Sequence, residues 1–321
     1  FGPLSAPPAQ PPCFAYGELD EKATTVLFMH EPELGKTEVS ISARWNTVPR
    51  NDSLAWQSEE VKKYVVASLL NNRLKRLVNQ PGSPLTKATS YSGIFLGRFG
   101  YASVSATTEG DKWRPALALL QATLRQALEE GFSERELARA KKEILALLEK
   151  NIQTANGRDS RKLASQIIDK LNRNEVFLSP QQDLELFAPV VSGLTLGEAN
   201  DLFRSQWAPS GREIVVAGTA QIATADGKAE DMVLAAFKEG QQQKLAPWDN
   251  GDQLAFPYLE VPEQGAPVAR RESLAKIGVE QVVFGNGTVL NIKATDFQPN
   301  QVLVGVQFGQ GCLALPDKGV Q

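Results

Sequence analysis

One histidine and two cysteines are the whole stock of soft metal ligands and strong nucleophiles in this 321-residue chain. A zinc site draws three or four ligands from His, Cys, Asp and Glu, and zinc peptidases set two His on one helix face. His30 alone cannot supply that pair. It stands at the end of a strand-like run beside Glu31 and Pro32, a setting for a surface or turn histidine rather than a ligand or general base. A thiol–imidazole pair would need Cys13 or Cys312 to reach His30, and neither cysteine opens a helix that would lower its pKa. The cysteines lie near opposite ends of the sequence, so they form neither a small disulfide framework nor a metal knuckle; a free thiol and one long bridge both stay open. There is no Gly-x-Ser-x-Gly elbow and no phosphate loop ending in Gly-Lys-Ser/Thr. Gly285-Asn286-Gly287 and Gly309-Gln310-Gly311 lack the third glycine and the following helix of a dinucleotide site, and read as turns or close packing. The paired carboxylates Glu59-Glu60 and Glu129-Glu130 fall at helix ends or on polar faces, where solvation explains them. No residue is therefore assigned a catalytic, cofactor-binding or metal-binding role.

Composition narrows the classes further. Hydrophobic residues make up 42% and charged residues 22%, ordinary for a globular protein of about two domains. The net charge of -3 offers no basic surplus for phosphates, which argues against nucleic acid. No run of 18 apolar residues is present to span a membrane as a helix.

The elements that would position any chemistry centre on residues 112–172, which read as three consecutive helices. Leu117, Leu120, Leu124 and Leu128 recur at three- and four-residue steps and mark one buried face. Gly131 ends that helix with a positive φ, and Ser133 with Glu136 three residues on forms a capping box for the next, whose stripe is Leu137, Ala140, Ile144 and Leu148. A third helix opens near Asp159 or Ser160 and carries Leu163, Ile167, Ile168 and Leu171. The cations Arg135, Arg139, Lys141 and Lys142 alternate with Glu, the pattern of a solvated face rather than of an acidic-partner site.

Before this block come a Pro-rich linker at 1–22, strands over 24–29 and 39–45, a long helix from Ser53 or Ser58 to Val78, and two strands around Gly97 and Gly100. After it come a helix with Pro180 at its first position, one capped by Thr195 and Glu198, and a strand at 214–217. The fold class is α+β, a mainly antiparallel sheet with several helices on one face, over 23–220. Residues 221–278 read as a connector with one short helix, because Pro247, Pro257, Pro262 and Pro267 remove ladder donors and break helix interiors. A β-led module then starts at 279–321, with strands at 279–284 and 288–294 joined by Asn286-Gly287 and a third at 301–308. The Pro-rich entry from Phe1 and the interrupted module at the end suggest an internal piece of a longer protein. Its last strands should build an apolar face from Val282, Phe284, Val289, Ile292, Val302, Val304 and Val306 that this chain alone cannot fully cover, and self-association through 279–321 or docking on the first domain is expected.

Local phrases then meet a known family. Leu70-Asn71-Asn72-Arg73-Leu74, Pro84-Leu85, and Glu130-Gly131-Phe132-Ser133-Glu134-Arg135-Glu136-Leu137 with Ala140-Lys141 resemble the non-catalytic second domain of insulinase- or pitrilysin-type zinc metallopeptidases. Phe284-Gly285-Asn286-Gly287-Thr288-Val289 and Lys293-Ala294-Thr295-Asp296-Phe297 are similar to the opening hairpin of the next repeat in the four-domain members. Family catalysis rests on an inverted His-x-x-Glu-His motif in the first domain, and nothing here matches it. The resemblance implies a silent, chamber-forming segment of a bacterial-type zinc peptidase, periplasmic or secreted. Its implied partners are a preceding zinc-bearing domain, following domains of the same protein and, in the intact protein, a peptide substrate. Zinc belongs to the intact parent and no cofactor to this segment. A degenerate homologue acting as scaffold or partner subunit is the alternative.

Overall fold

A computed structural model describes residues 17–223, 227–249, 264–296 and 302–309. Cys13, Cys312, most of the Pro-rich entry and the connector around Pro257 and Pro262 lie outside the described residues. The chain divides into two units, residues 1–148 with 167–250, and residues 149–166 with 251–321.

In the first unit, β1 (Thr25–His30), β2 (Thr37–Asn46), β3 (Lys87–Phe95), β4 (Phe99–Thr108) and β5 (Glu213–Gly218) form one sheet in the order β1-β5-β2-β4-β3. Only β1 and β5 run parallel; the other neighbours are antiparallel, as the alternating patterns imply. Along β2 the odd positions Val39, Ile41 and Ala43 are fully buried while Ser40, Ser42 and Arg44 are not, so a period of two divides the strand into a core side and an open side. The core side is covered by α1 (Leu54–Val78) and α2 (Trp113–Glu129). Ser53 caps α1 by accepting the Trp56 amide, and Leu69, Leu70 and Leu74 face the sheet. Leu117, Leu120 and Leu124 of α2 are buried beside them.

Then follow α3 (Glu134–Gln153), α4 (Ser160–Asn172), α5 (Pro180–Gly193) and α6 (Leu196–Gln206). The last two carry capping boxes at Ser179 with Gln182 and at Thr195 with Glu198. The stripe on α3 is buried at Leu137, Ala140 and Ile144. The stripe expected on α4 is not: none of its residues is buried, with Ile168 55% and Leu171 66% exposed. Periodicity shows that a helix has an apolar side; it does not supply a neighbour to cover it.

The helix within the stretch read as a connector, α7 (Ala229–Gln242), packs on α2 and β1, and Val233, Ala236 and Phe237 join the first unit's core. Gln121 of α2 donates to the Phe237 carbonyl at 2.9 Å. In the second unit β6 (Val268–Leu274), β7 (Val279–Phe284) and β8 (Val289–Ile292) form an antiparallel sheet in the order β6-β7-β8. The hairpin at Asn286-Gly287 forms as expected. Its third strand is β6, drawn from the stretch read as a connector, whereas Val302, Val304 and Val306 lie outside any sheet and are 79–86% exposed. Of the apolar face expected there, Val282 is buried and Val289 and Ile292 remain about half open at 50% and 46%.

The β3–β4 turn places Leu96 at φ +53° followed by Gly97 at +67°, with the Arg98 amide bonding the Phe95 carbonyl at 3.1 Å. Phe95 pairs with Phe99, so Leu96, Gly97 and Arg98 form the connection, and a leucine incurs steric strain in the left-handed region. Leu96 is 52% exposed and gains little from burial. Leu96→Gly should raise the unfolding free energy by about 1 kcal/mol, and an unchanged or lower denaturation midpoint would contradict this.

Candidate functional site

Among the described residues, helices cover the sheet on one side only. Its other face presents Ser40 and Ser42 of β2, Ser103 and Ser105 of β4, Thr89 of β3 and Val215 of β5, none of them fully buried. Small hydroxyl side chains keep this face polar in the middle, and Ser42 Oγ donates to Ser103 Oγ at 3.0 Å across the β2–β4 pair. Larger apolar groups stand toward the two edges: Leu27 and Met29 on β1, Tyr91 and Phe95 on β3, all more than half exposed. Tyr91 and Tyr101 meet at a ring distance of 5.7 Å. Burial raises the Tyr101 phenol, the Tyr91 ring adds to this and Arg173 opposes it, so the hydroxyl stays protonated and able to donate. Arg44 and Glu213 pair at 2.8 Å at one end of the same face. The arrangement can touch an extended polar peptide but carries no nucleophile–base pair.

On the covered side, the residues quoted for the family resemblance converge. Asn71 clamps the β3 backbone, its Oδ1 accepting the Ser90 amide at 2.7 Å and its Nδ2 donating to the Ser90 carbonyl at 2.9 Å. Because β3 is an edge strand, this side chain takes the place of a neighbouring strand at that residue. Asn72 donates to Glu143 at 3.0 Å. Arg73 is 3% exposed and sends Nε to Glu136 Oε1 at 2.6 Å, Nη2 to Glu136 Oε2 at 3.0 Å and Nη2 to the Gly131 carbonyl at 2.8 Å. Its guanidinium lies over Phe132 at 4.6 Å and over Trp248 at 4.8 Å. Gly131 has φ +78°, as a helix ending there before a new cap requires, and Asn200 Oδ1 accepts the Phe132 amide at 2.8 Å.

Burial alone would raise the Glu136 carboxyl, but the bonds from Arg73 and from Ser133 prevail and hold it below its ordinary range. The Glu136 that caps α3 is thus also the counter-ion of a buried arginine on α1. That double use is invisible in the sequence, where nothing pairs Arg73 with Glu136. The segment before residue 250 is fastened at the same place: Arg76 donates to the Asp249 carbonyl at 2.5 Å, Arg125 to the Gln243 carbonyl at 2.9 Å, and Glu130 accepts the Trp248 amide at 3.1 Å.

His30 Nδ1 lies 2.9 Å from the Ala220 carbonyl, joining the ends of β1 and β5, the turn role its position suggests. Among the described residues no three His, Cys, Asp or Glu side chains come together as a metal site would need, and no helix is long and apolar enough to cross a membrane. These residues do not fit a zinc ion, and no step of metal chemistry is assigned to them.

Residues 1–144 match the family model of the peptidase M16 inactive domain. The matched stretch, less than half of the chain, is similar to an M16 inactive domain. The match takes in the Asn-Asn-Arg run and the Gly131 joint, on which the insulinase-type resemblance rests. Among solved structures the protein is similar to the periplasmic protease PqqL from Escherichia coli, at 19% identity and TM-score 0.64, over 90% of this chain and 31% of that one. The first half of PqqL aligns with 75% of this chain and 51% of its own length, also at TM-score 0.64. A predicted insulinase family protease from Yersinia pestis aligns at 17% identity and TM-score 0.58, over 74% of this chain and 51% of its own. At these identities the likeness is one of fold. The chain spans about a third of the length of PqqL, and no curated protein matches it.

Proposed function

We propose that this chain is a non-catalytic wall segment of an M16 peptidase chamber, with its hydroxyl-rich sheet face turned toward the peptide. The bare face carries this reading, because helices cover one side of the sheet and leave a broad, polar-centred surface on the other. In the intact protein a zinc ion held by a preceding domain would act as Lewis acid on the scissile carbonyl. The M16 inactive-domain match supports the silent role. The alignment with whole PqqL takes in more of this chain than that with its first half, which supports reading the second unit as the opening of a following domain. The apolar run of Val302, Leu303, Val304 and Val306 would then find its cover there, or in a second copy of itself. A periplasmic or secreted setting is part of the proposal, supported by the periplasmic neighbour.

The test uses the complete protein to which this stretch belongs and a quenched-fluorescence peptide. Tyr91→Arg, on the open face, should lower kcat/KM by on the order of tenfold, near 1.4 kcal/mol, with zinc content unchanged. The 321-residue chain alone should hold no stoichiometric zinc and cleave nothing. Chelator-sensitive hydrolysis by this chain would overturn the silent role. A complete protein without zinc or activity would favour the scaffold or partner-subunit reading.

A further inference from the structure

A cleft opens on the covered side of the sheet, away from the bare face, where the ends of β2 and β3 meet the start of α1. It is lined by Trp45, Arg50, Trp56, Lys63, Ser92 and Gln206, with Glu60 as the one acid on its wall, and has a volume of about 110 Å³. Two cations lie over one indole: Arg50 Cζ is 5.5 Å and Lys63 Nζ 5.2 Å from the Trp56 ring. Lys63 is neutralised by Glu60 at 2.7 Å. Arg50 has no carboxylate partner among the described residues, so the cleft keeps one uncompensated positive charge. A guanidinium held by an aromatic ring rather than by a carboxylate keeps N–H donors for an oxygen ligand. The second wall is also built for this place: Trp45 lies across Gly100, where any Cβ would overlap the indole. Gln206, 6% exposed, closes the back with Nε2 donating to Ser92 Oγ at 3.1 Å.

We propose that this cleft receives a single carboxylate group, paired with Arg50 and seated against the two tryptophans. Size decides the class. Sites for drug-sized ligands occupy roughly 300–1,000 Å³, so this one holds a head group and not a nucleotide or a whole aromatic acid. The fork of one guanidinium matches two carboxylate oxygens, the geometry in which charge-assisted bonds are strongest. Such a group has two sources, the C-terminus of a peptide or an acidic side chain within one. The peptide part rests on the proposed function; the cleft's affinity for a carboxylate does not.

Isothermal titration of the 321-residue chain with N-acetylglycine, N-acetylglycinamide and N-acetylglutamate α-amide separates these cases without any peptidase assay. N-acetylglycine should bind saturably and its amide should not. Arg50→Gln, at an exposed position whose loss leaves the core intact, should weaken binding at least about tenfold, the scale of one charge-assisted bond, and Trp56→Leu should do the same. Equal or tighter binding of the glutamate compound would assign the site to acidic side chains, and weaker binding to the terminal carboxylates of peptides. Binding of the neutral amide as tightly as the acid, indifference to Arg50→Gln, or no saturable heat from natively folded protein would each overturn the proposal. Hydrolysis data on the complete protein bear on the wall reading alone, so the two can fail separately.

Discussion

Arg73→Ala is expected to lower the unfolding free energy by about 3–5 kcal/mol, the cost of breaking a buried ion pair by removing one partner. Glu136 would be left with only its capping bonds to Ser133, and the space between Phe132 and Trp248 would lose its occupant. Urea denaturation reads the effect directly. Arg73→Lys should recover only part, since an ammonium cannot bond both Glu136 oxygens and the Gly131 carbonyl in one plane. The same pair sets a pH dependence. The folded Glu136 carboxyl titrates below its ordinary value of 4.5, so its stabilising contribution is complete above that value and is lost as pH falls through the lower, folded one. In Arg73→Ala this acid-side slope should flatten. A variant as stable as the parent, with the same slope, would show that the pair does not hold α1 to the joint.

Gly218→Ala should cost about 3 kcal/mol or more, combining backbone strain with a steric overlap that cannot relax. Gly218 ends β5 between two partners, opposite His30 on β1 and Thr37 on β2. Its φ is +126°, and an added Cβ would overlap the Lys36 carbonyl oxygen, which accepts the Thr219 amide at 3.2 Å. The obstacle is backbone on a central strand, so relief would require parting β5 from β2. An Ala variant that melts with the parent would mean that the β5 exit is looser than this geometry. At Gly131 an added Cβ would meet the Asn200 side chain rather than backbone, at a φ of +78° that is itself strained for any side chain.

Elements whose signal is local were legible in the order of residues alone. Capping boxes marked the starts of α3 and α6 and Pro180 the start of α5, because Ser or Thr oxygens satisfy free amides within three residues and proline has no amide to leave free. The period of two along β2 and the leucine spacing of α2 named the buried faces correctly, since one side of each meets the same core.

Whatever depends on a distant partner emerged only with the three-dimensional arrangement. The sheet order alone reveals that β5 inserts between β1 and β2 and that β1 joins it in parallel. Whether α4's apolar side is covered, or the run around Val304 pairs with anything, depends on neighbours that periodicity cannot name. The one short helix expected between 221 and 278 forms as α7, but that it completes the first core is decided by packing, and β6 forms where proline density spoke against a strand. Arg73 is the sharpest instance. The desolvation cost of a buried charge on a helix is offset only by groups brought from elsewhere. Here Glu136, the Gly131 carbonyl and two aromatic rings arrive from as far along the sequence as Trp248.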